Sequence, residues 1–252
     1  MKSKIALLTG GSRGLGKNSA LRLAEKGVDV ILTYNTKKEE ADTVVSEIES
    51  KGGKAFAFQL DVSNLKSFDN FIIHFQKILK IKFNSDKFDF LINNAGTGAT
   101  IPFANVKEED FDRLLNIHFK GVFFLTQKLL PLMNDMGRII NFSSGTTRFA
   151  NPGYSVYASM KGAIEVLTRY LAKELGTRKI TVNVLAPGAI ETDFNNAIIR
   201  NNPQIKERIA ANTALGRTGE ANDIGGIVAF LCSEEAYWIN GQRIEASGGI
   251  NL

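Results

Sequence analysis

The chain has 252 residues, of which 44% are hydrophobic and 23% charged, and a net charge of +5. That length supports a large buried core, and the composition is ordinary for a globular protein, with too thin a positive surplus for a nucleic-acid footprint. The one cysteine, Cys232, excludes a disulfide framework and points to a reducing compartment, the cytoplasm. No apolar run reaches membrane-spanning length. The basic start Met1-Lys-Ser-Lys4 is followed by too short an apolar segment for a signal peptide, so that segment reads as a first strand.

Strand-like and helix-like segments then alternate. Residues 4–9 are an apolar run, Gly10-Gly-Ser-Arg-Gly14-Leu-Gly16 follows at once, and 15–26 reads as a helix stopped by Gly27. A strand, a glycine-rich turn and a helix start bring bare backbone and free N–H groups to an anion, which suits a nucleotide phosphate. A second strand covers 28–34. Thr36 with Glu39 predicts a capping box before a helix whose stripe is Ala41, Val44, Val45 and Ile48. Residues 55–60 form a third strand, and Asp61-Val62-Ser63 leads into a helix carrying Phe68, Phe71, Ile72 and Phe75. A fourth strand, 88–93, ends in Asn-Asn-Ala-Gly, and one long helix is expected over 108–133. A fifth strand, 137–142, delivers Ser143 and Ser144. Helix 155–175, a sixth strand at 180–185 and a short last strand at 243–245 complete the pattern.

This alternation predicts an α/β fold, a Rossmann-type doubly wound parallel sheet with helices on both faces, in one domain spanning 1–252. In such sheets ligands bind beyond the carboxyl ends of the strands, where these motifs fall. Residues 192–218 break the rhythm and read as a substrate lid, with a surface helical hairpin as the alternative.

Tyr157 and Lys161 are four apart, so on a helix they share a face. A phenol titrates near ~10 in water, and a neighbouring cation favours its ionised form. Ser144, upstream, supplies a hydroxyl that can hold a carbonyl or alcohol oxygen while a proton moves. That combination suits carbonyl reduction or alcohol oxidation.

Taken together, Thr9-Gly-Gly-Ser-Arg-Gly-Leu-Gly16, Asn93-Asn-Ala-Gly96, Ser144, Tyr157-x3-Lys161 and Pro187-Gly188 resemble the short-chain dehydrogenase/reductase family over essentially the whole chain. The resemblance, nearest to the 3-oxoacyl-thioester reductases and the sugar or polyol dehydrogenases, implies hydride transfer between a nicotinamide and a carbonyl or secondary alcohol. Tyr157 would be the general acid/base, Lys161 would lower its pKa and hold the nicotinamide ribose, and Ser144 would orient the substrate oxygen. The glycine turn (Gly10, Ser12, Arg13, Gly14, Leu15, Gly16) would take the phosphates. Asp61 and Val62 would bind the adenine, and Asn94, Ala95 and Gly96 would line a ribose. Pro187, Gly188, Ile190 and Thr192 would meet the nicotinamide. No metal-ligand cluster is visible and none is required.

Where NAD-preferring relatives carry an acid after the second strand, this chain has Tyr34, followed by Asn35 and Thr36. With Arg13 in the turn, this points to NADP(H) over NAD(H), because guanidinium binds phosphate in two-pronged fashion. His118 stands where the family usually has an asparagine that holds a water in the proton path. A histidine there could relay the proton itself or fill space and bond a backbone carbonyl. Tyr154, seven before Lys161, matches the spacing of enoyl-thioester reductases, or lines the substrate pocket. A non-catalytic NADP-binding sensor is the remaining alternative, opposed by the survival of Ser144, Tyr157 and Lys161. Arg148 could meet an acidic substrate group or sit in solvent. The resemblance also implies a homotetramer acting on a small-molecule carbonyl or alcohol, with no nucleic-acid or membrane partner.

Overall fold

A computed structural model describes residues 3–252; Met1 and Lys2, part of the basic start, lie outside the described residues. The strands are β1 Ile5–Leu8, β2 Asp29–Tyr34, β3 Ala55–Gln59, β4 Phe88–Asn93, β5 Met133–Phe142, β6 Thr181–Pro187 and β7 Arg243–Ala246. They form one sheet in the order β3-β2-β1-β4-β5-β6-β7, and each neighbouring pair is parallel. The helices are α1 Gly14–Glu25, α2 Lys38–Ser50, α3 Phe68–Phe83, α4 Glu108–Leu115, α5 Gly121–Leu129, α6 Ser155–Glu174, α7 Ile198–Asn201, α8 Pro203–Ala211 and α9 Asn222–Leu231. The doubly wound Rossmann architecture is thus as expected. The strand order reverses between β1 and β4, the place where ligands bind beyond the carboxyl ends in sheets of this kind.

Successive side chains on a strand face opposite ways, so each strand feeds two cores. On β1, Ala6 and Leu8 pack with Leu23 of α1, Val44 of α2 and Val228 of α9. Ile5 and Leu7 turn the other way, onto Phe68 and Phe75 of α3, Leu125 of α5 and Ala172 of α6. Burying each of the larger of these side chains is worth about 1.5–3 kcal/mol.

Three local expectations differ. The capping box is not made: α2 begins at Lys38 with Lys37 before it and no side-chain cap, and Glu39 and Glu40 simply fill its first turn. There they favour the positive end of the helix dipole. The expected long helical segment over 108–133 is present but not uniformly α: a π-turn, Asn116–Lys120, joins α4 to α5 with helical dihedrals throughout. Gly121 follows it in contact with backbone, since a Cβ there would sit 2.1 Å from the Val62 carbonyl oxygen. Strand β5 starts earlier than the apolar pattern implied, at Met133, which pairs with Phe88, and its register slips before Arg138 pairs with Phe90 of β4. Met136 takes up that slip at φ 62.

Candidate active site

The glycine turn follows β1. Gly10 has φ +68, and a Cβ on Gly16 would overlap the Gly10 carbonyl oxygen at 2.0 Å, so α1 packs directly on the turn. Arg13 precedes α1, no side chain caps that helix, and its first turn carries no acid. Its leading N–H groups and the positive dipole end fit an anion such as a nucleotide phosphate. The side chain of Arg13, an exposed residue, has no partner among the described residues. Ser12 and Leu15 are half-buried in the same turn. Tyr34, half-buried, ends β2, and exposed Asn35 and Thr36 follow it.

Asn94 ties the end of β4 to this turn. Its Nδ2 donates to the carbonyls of Thr9 and Gly10, both at 2.9 Å, and Thr9 Oγ1 accepts from the backbone N–H groups of Asn94 (3.1 Å) and Ala95 (3.0 Å). Thr9 is a part of the site that sequence reasoning left without a role. Asp61 accepts from Ser63 N at 2.9 Å and Ser63 Oγ at 2.7 Å, closing the turn after β3. Farther along the sheet, Pro187 ends β6, Gly188 packs on Ser247, and Ile190 bridges to Gly219. Thr192 comes back to the glycine turn, 3.5 Å from where a Cβ on Gly14 would lie.

Ser144 ends the segment after β5, and Tyr157 and Lys161 lie in the first turns of α6; the tyrosine and lysine are buried. Burial pushes the Tyr157 phenol up to about 12, and a hydrogen bond with Ser144 opposes this in part. The expected lowering by Lys161 is not what sets this value: the ammonium donates to the Phe142 carbonyl at 2.8 Å and lies 5.7 Å from the phenol ring centre. Burial also brings Lys161 itself down to about 8. At neutral pH the phenol therefore keeps its proton, the form that can protonate a carbonyl oxygen. Ser144 Oγ is held from the other side by the N–H of Thr146 at 3.2 Å and its hydroxyl at 3.0 Å.

His118 sits in the π-turn, 1% exposed, with Nε2 2.8 Å from the Thr97 carbonyl. Its Nδ1 is buried without a partner among the described residues. Burial first, then the charge of Lys161, hold its pKa well below 6.5, so the ring is neutral. The backbone-carbonyl bond is the one foreseen for a packing role; the bare Nδ1 is the atom a relay would use.

The start of the segment 192–218 meets the Tyr154 and Tyr157 rings. Phe194 lies 6.1 Å from Tyr157 and Tyr154 6.2 Å from it, ring centre to ring centre, and Asn195 Nδ2 donates to Tyr154 Oη at 3.4 Å. Arg148 is exposed, one of the two expectations for it, but its side chain is not free. It forms a two-pronged ion pair with Glu245 and donates to the carbonyls of Ile250 and Asn251, so it is committed to the C-terminal tail. Arg243 and Glu245, which the sequence reading passed over, have one visible signal: opposite charges two apart on a strand share a face.

The family described as Enoyl-(Acyl carrier protein) reductase matches residues 10–251. The chain is 39% identical over 252 residues to the 3-oxoacyl-[acyl-carrier-protein] reductase FabG of Staphylococcus aureus, covering 99% of each. It is 35% identical to the hydroxynaphthalene reductase-like protein Arp2 of Metarhizium brunneum, covering 99% of this chain and 95% of that one. Among solved structures, the angucycline C-6 ketoreductase LanV with bound NADP superposes with a TM-score of 0.94 at 38% identity, covering 99% of this chain and 96% of that one. The chain belongs to the short-chain dehydrogenase/reductase family and is an oxidoreductase of that family.

Proposed function

We propose that the protein is an NADP(H)-dependent ketoreductase that moves a hydride between nicotinamide and a carbonyl or secondary-alcohol carbon. The observation that carries this reading is the pairing of Tyr157 and Lys161 on one face of α6, both buried, with the ammonium 5.7 Å from the centre of the phenol ring. Tyr157 gives its proton to the carbonyl oxygen in reduction, or takes one in oxidation. Ser144 orients that oxygen. Lys161 holds the nicotinamide ribose beside the phenol, and the uncapped start of α1 takes the pyrophosphate. The cofactor supplies the hydride; the chain supplies alignment and proton traffic.

Arg13, unpartnered and exposed, with Asn35 and Thr36 beside a β2 end that carries no acid, supports NADP(H) over NAD(H). The ketoreductase LanV, similar over nearly the whole chain, carries bound NADP. Residues 192–218 act as the lid, since Phe194 already stands over Tyr157. Exposed Phe111, Phe123, Val166 and Tyr170 on α4, α5 and α6 support burial between copies, as in a tetramer. No described helix is long and apolar enough to cross a membrane, and the lone buried Cys232 supports the cytoplasm.

The enoyl-reductase description of the matching family makes carbon–carbon double-bond reduction the second reading. Against it, Tyr154 Oη is engaged by Asn195 of the lid. The test is loss of NADPH absorbance with a panel of ketones, 3-oxoacyl thioesters and enoyl thioesters, for the native chain and Tyr157→Phe. Ketone turnover lost in the variant supports the proposal. Enoyl turnover that survives it overturns the proposal.

A further inference from the structure

We infer that Glu165 and Arg243 are positioning residues for Ser144, and that through Glu245 and Arg148 they make the C-terminal tail part of the active-site scaffold. Glu165 lies one turn after Lys161 on α6, its side chain only 15% exposed. Three donors converge on its Oε1: Ser143 Oγ at 2.6 Å, Thr147 Oγ1 at 2.7 Å and Arg243 Nε at 2.8 Å. Ser143 and Thr147 bracket Ser144 in the chain, so one carboxylate oxygen grips the catalytic loop on both sides. Arg243 Nη2 adds contacts to the Ser144 carbonyl at 3.4 Å and to Thr147 Oγ1 at 3.2 Å.

The ladder continues outward with alternating charge. Arg243 Nη1 donates to Glu245 Oε2 at 2.9 Å, and Glu245 Oε1 also accepts from Ser247 Oγ at 2.7 Å. Arg148 Nε and Nη2 meet the Glu245 carboxylate at 2.9 and 2.7 Å, and the same guanidinium holds the Ile250 and Asn251 carbonyls at 2.5 and 2.9 Å. Two arginines and two glutamates cancel in charge, so little net field is added to the cleft. No bond of this ladder among the described residues reaches the Tyr157 hydroxyl. Its effect on the reaction is therefore geometric and passes through Ser144. Displacement of a reacting partner by about 1 Å can cost on the order of 100-fold in rate.

The kinetic half of the test rests on the ketoreductase reading, and the structural half does not. Glu165→Gln keeps the shape and removes the charge. Amide hydrogen exchange over 142–149 should then rise about tenfold, as the loop opens locally. With NADPH and a turned-over ketone, kcat should fall about 10- to 100-fold while KM for NADPH moves less than about twofold. In a Ser144→Ala background the same substitution should change kcat by less than about twofold, because both changes act through one hydroxyl. Unchanged exchange, or losses that multiply in the double variant, overturns the proposal. If Glu165→Gln does not fold, Arg243→Lys keeps the charge but loses the fork, and the same readouts apply. A native chain that reduces no ketone overturns the ketoreductase reading instead, and the exchange result then decides the ladder alone.

Discussion

The imidazole of His118 stands edge-on to the ring of Tyr157, with centres 5.1 Å apart and planes at 87°. The contact depends on two backbone features. The π-turn Asn116–Lys120 carries the histidine, and Gly96 makes room for it, since a Cβ there would lie 2.9 Å from His118 Cε1. Single π-turns within helices occur frequently at functional sites.

His118 should make the fold acid-sensitive. Its folded pKa lies well below 6.5, held there by burial and by Lys161, whereas the unfolded chain titrates near ~6.5. Between these values the unfolded state binds the extra proton, so stability falls as pH falls through the unfolded value. Melting temperatures compared at neutral pH and about two units lower, a span that crosses the unfolded value, should drop less in His118→Asn than in the native chain. Equal drops would place the acid sensitivity elsewhere.

Tyr157→Phe removes the proton donor but little volume. Its kcat for ketone reduction should fall by about 10²- to 10⁴-fold, with NADPH binding, followed by its fluorescence, nearly intact. Because the native phenol stays protonated up to about 12, reduction should show no tyrosine-dependent loss across the neutral range. A pH–rate profile with such a loss near neutrality would contradict the burial argument.

Arg13 sets the cofactor preference in the proposed reading. Arg13→Ala should raise KM for NADPH about 10- to 100-fold, the worth of a charge-assisted contact to phosphate, and leave KM for NADH almost unchanged. Parallel increases for both cofactors would show that Arg13 serves the shared pyrophosphate.

Phe75 tests the core. It is fully buried, stacks on Phe71 at 5.9 Å and meets Phe88 edge-on at 5.2 Å. Phe75→Ala should lower unfolding stability by about 3–5 kcal/mol, read from the denaturant midpoint. A loss under about 1 kcal/mol would mean that the neighbouring rings close the cavity.

The strand and helix order was legible because apolar periodicity is local. Residues 88–93 were expected to form a strand, and β4 spans Phe88–Asn93. The capping box failed for a local reason of another kind: α2 starts at Lys38, so Lys37 and not Thr36 stands at its N-cap. The π-turn inside the 108–133 helical segment left no mark in the apolar pattern, and neither did the close pass of the Val62 backbone at Gly121, which follows it.

The sequence by itself determined the parallel α/β fold, the glycine-rich turn before α1 and the grouping of Tyr157 with Lys161. Those features rest on spacings of a few residues and on glycines that need room beside their own turn. Only the tertiary structure decided that Lys161 points to the Phe142 carbonyl, that burial sets the phenol, and that Arg148 serves the tail. It also decided that Glu165 and Arg243, 78 residues apart, meet beneath Ser144. Pairings at such separation depend on how α6, β7 and the loop after β5 pack together. Charge and dielectric at a buried site are properties of that packing, and no periodicity along the chain records them.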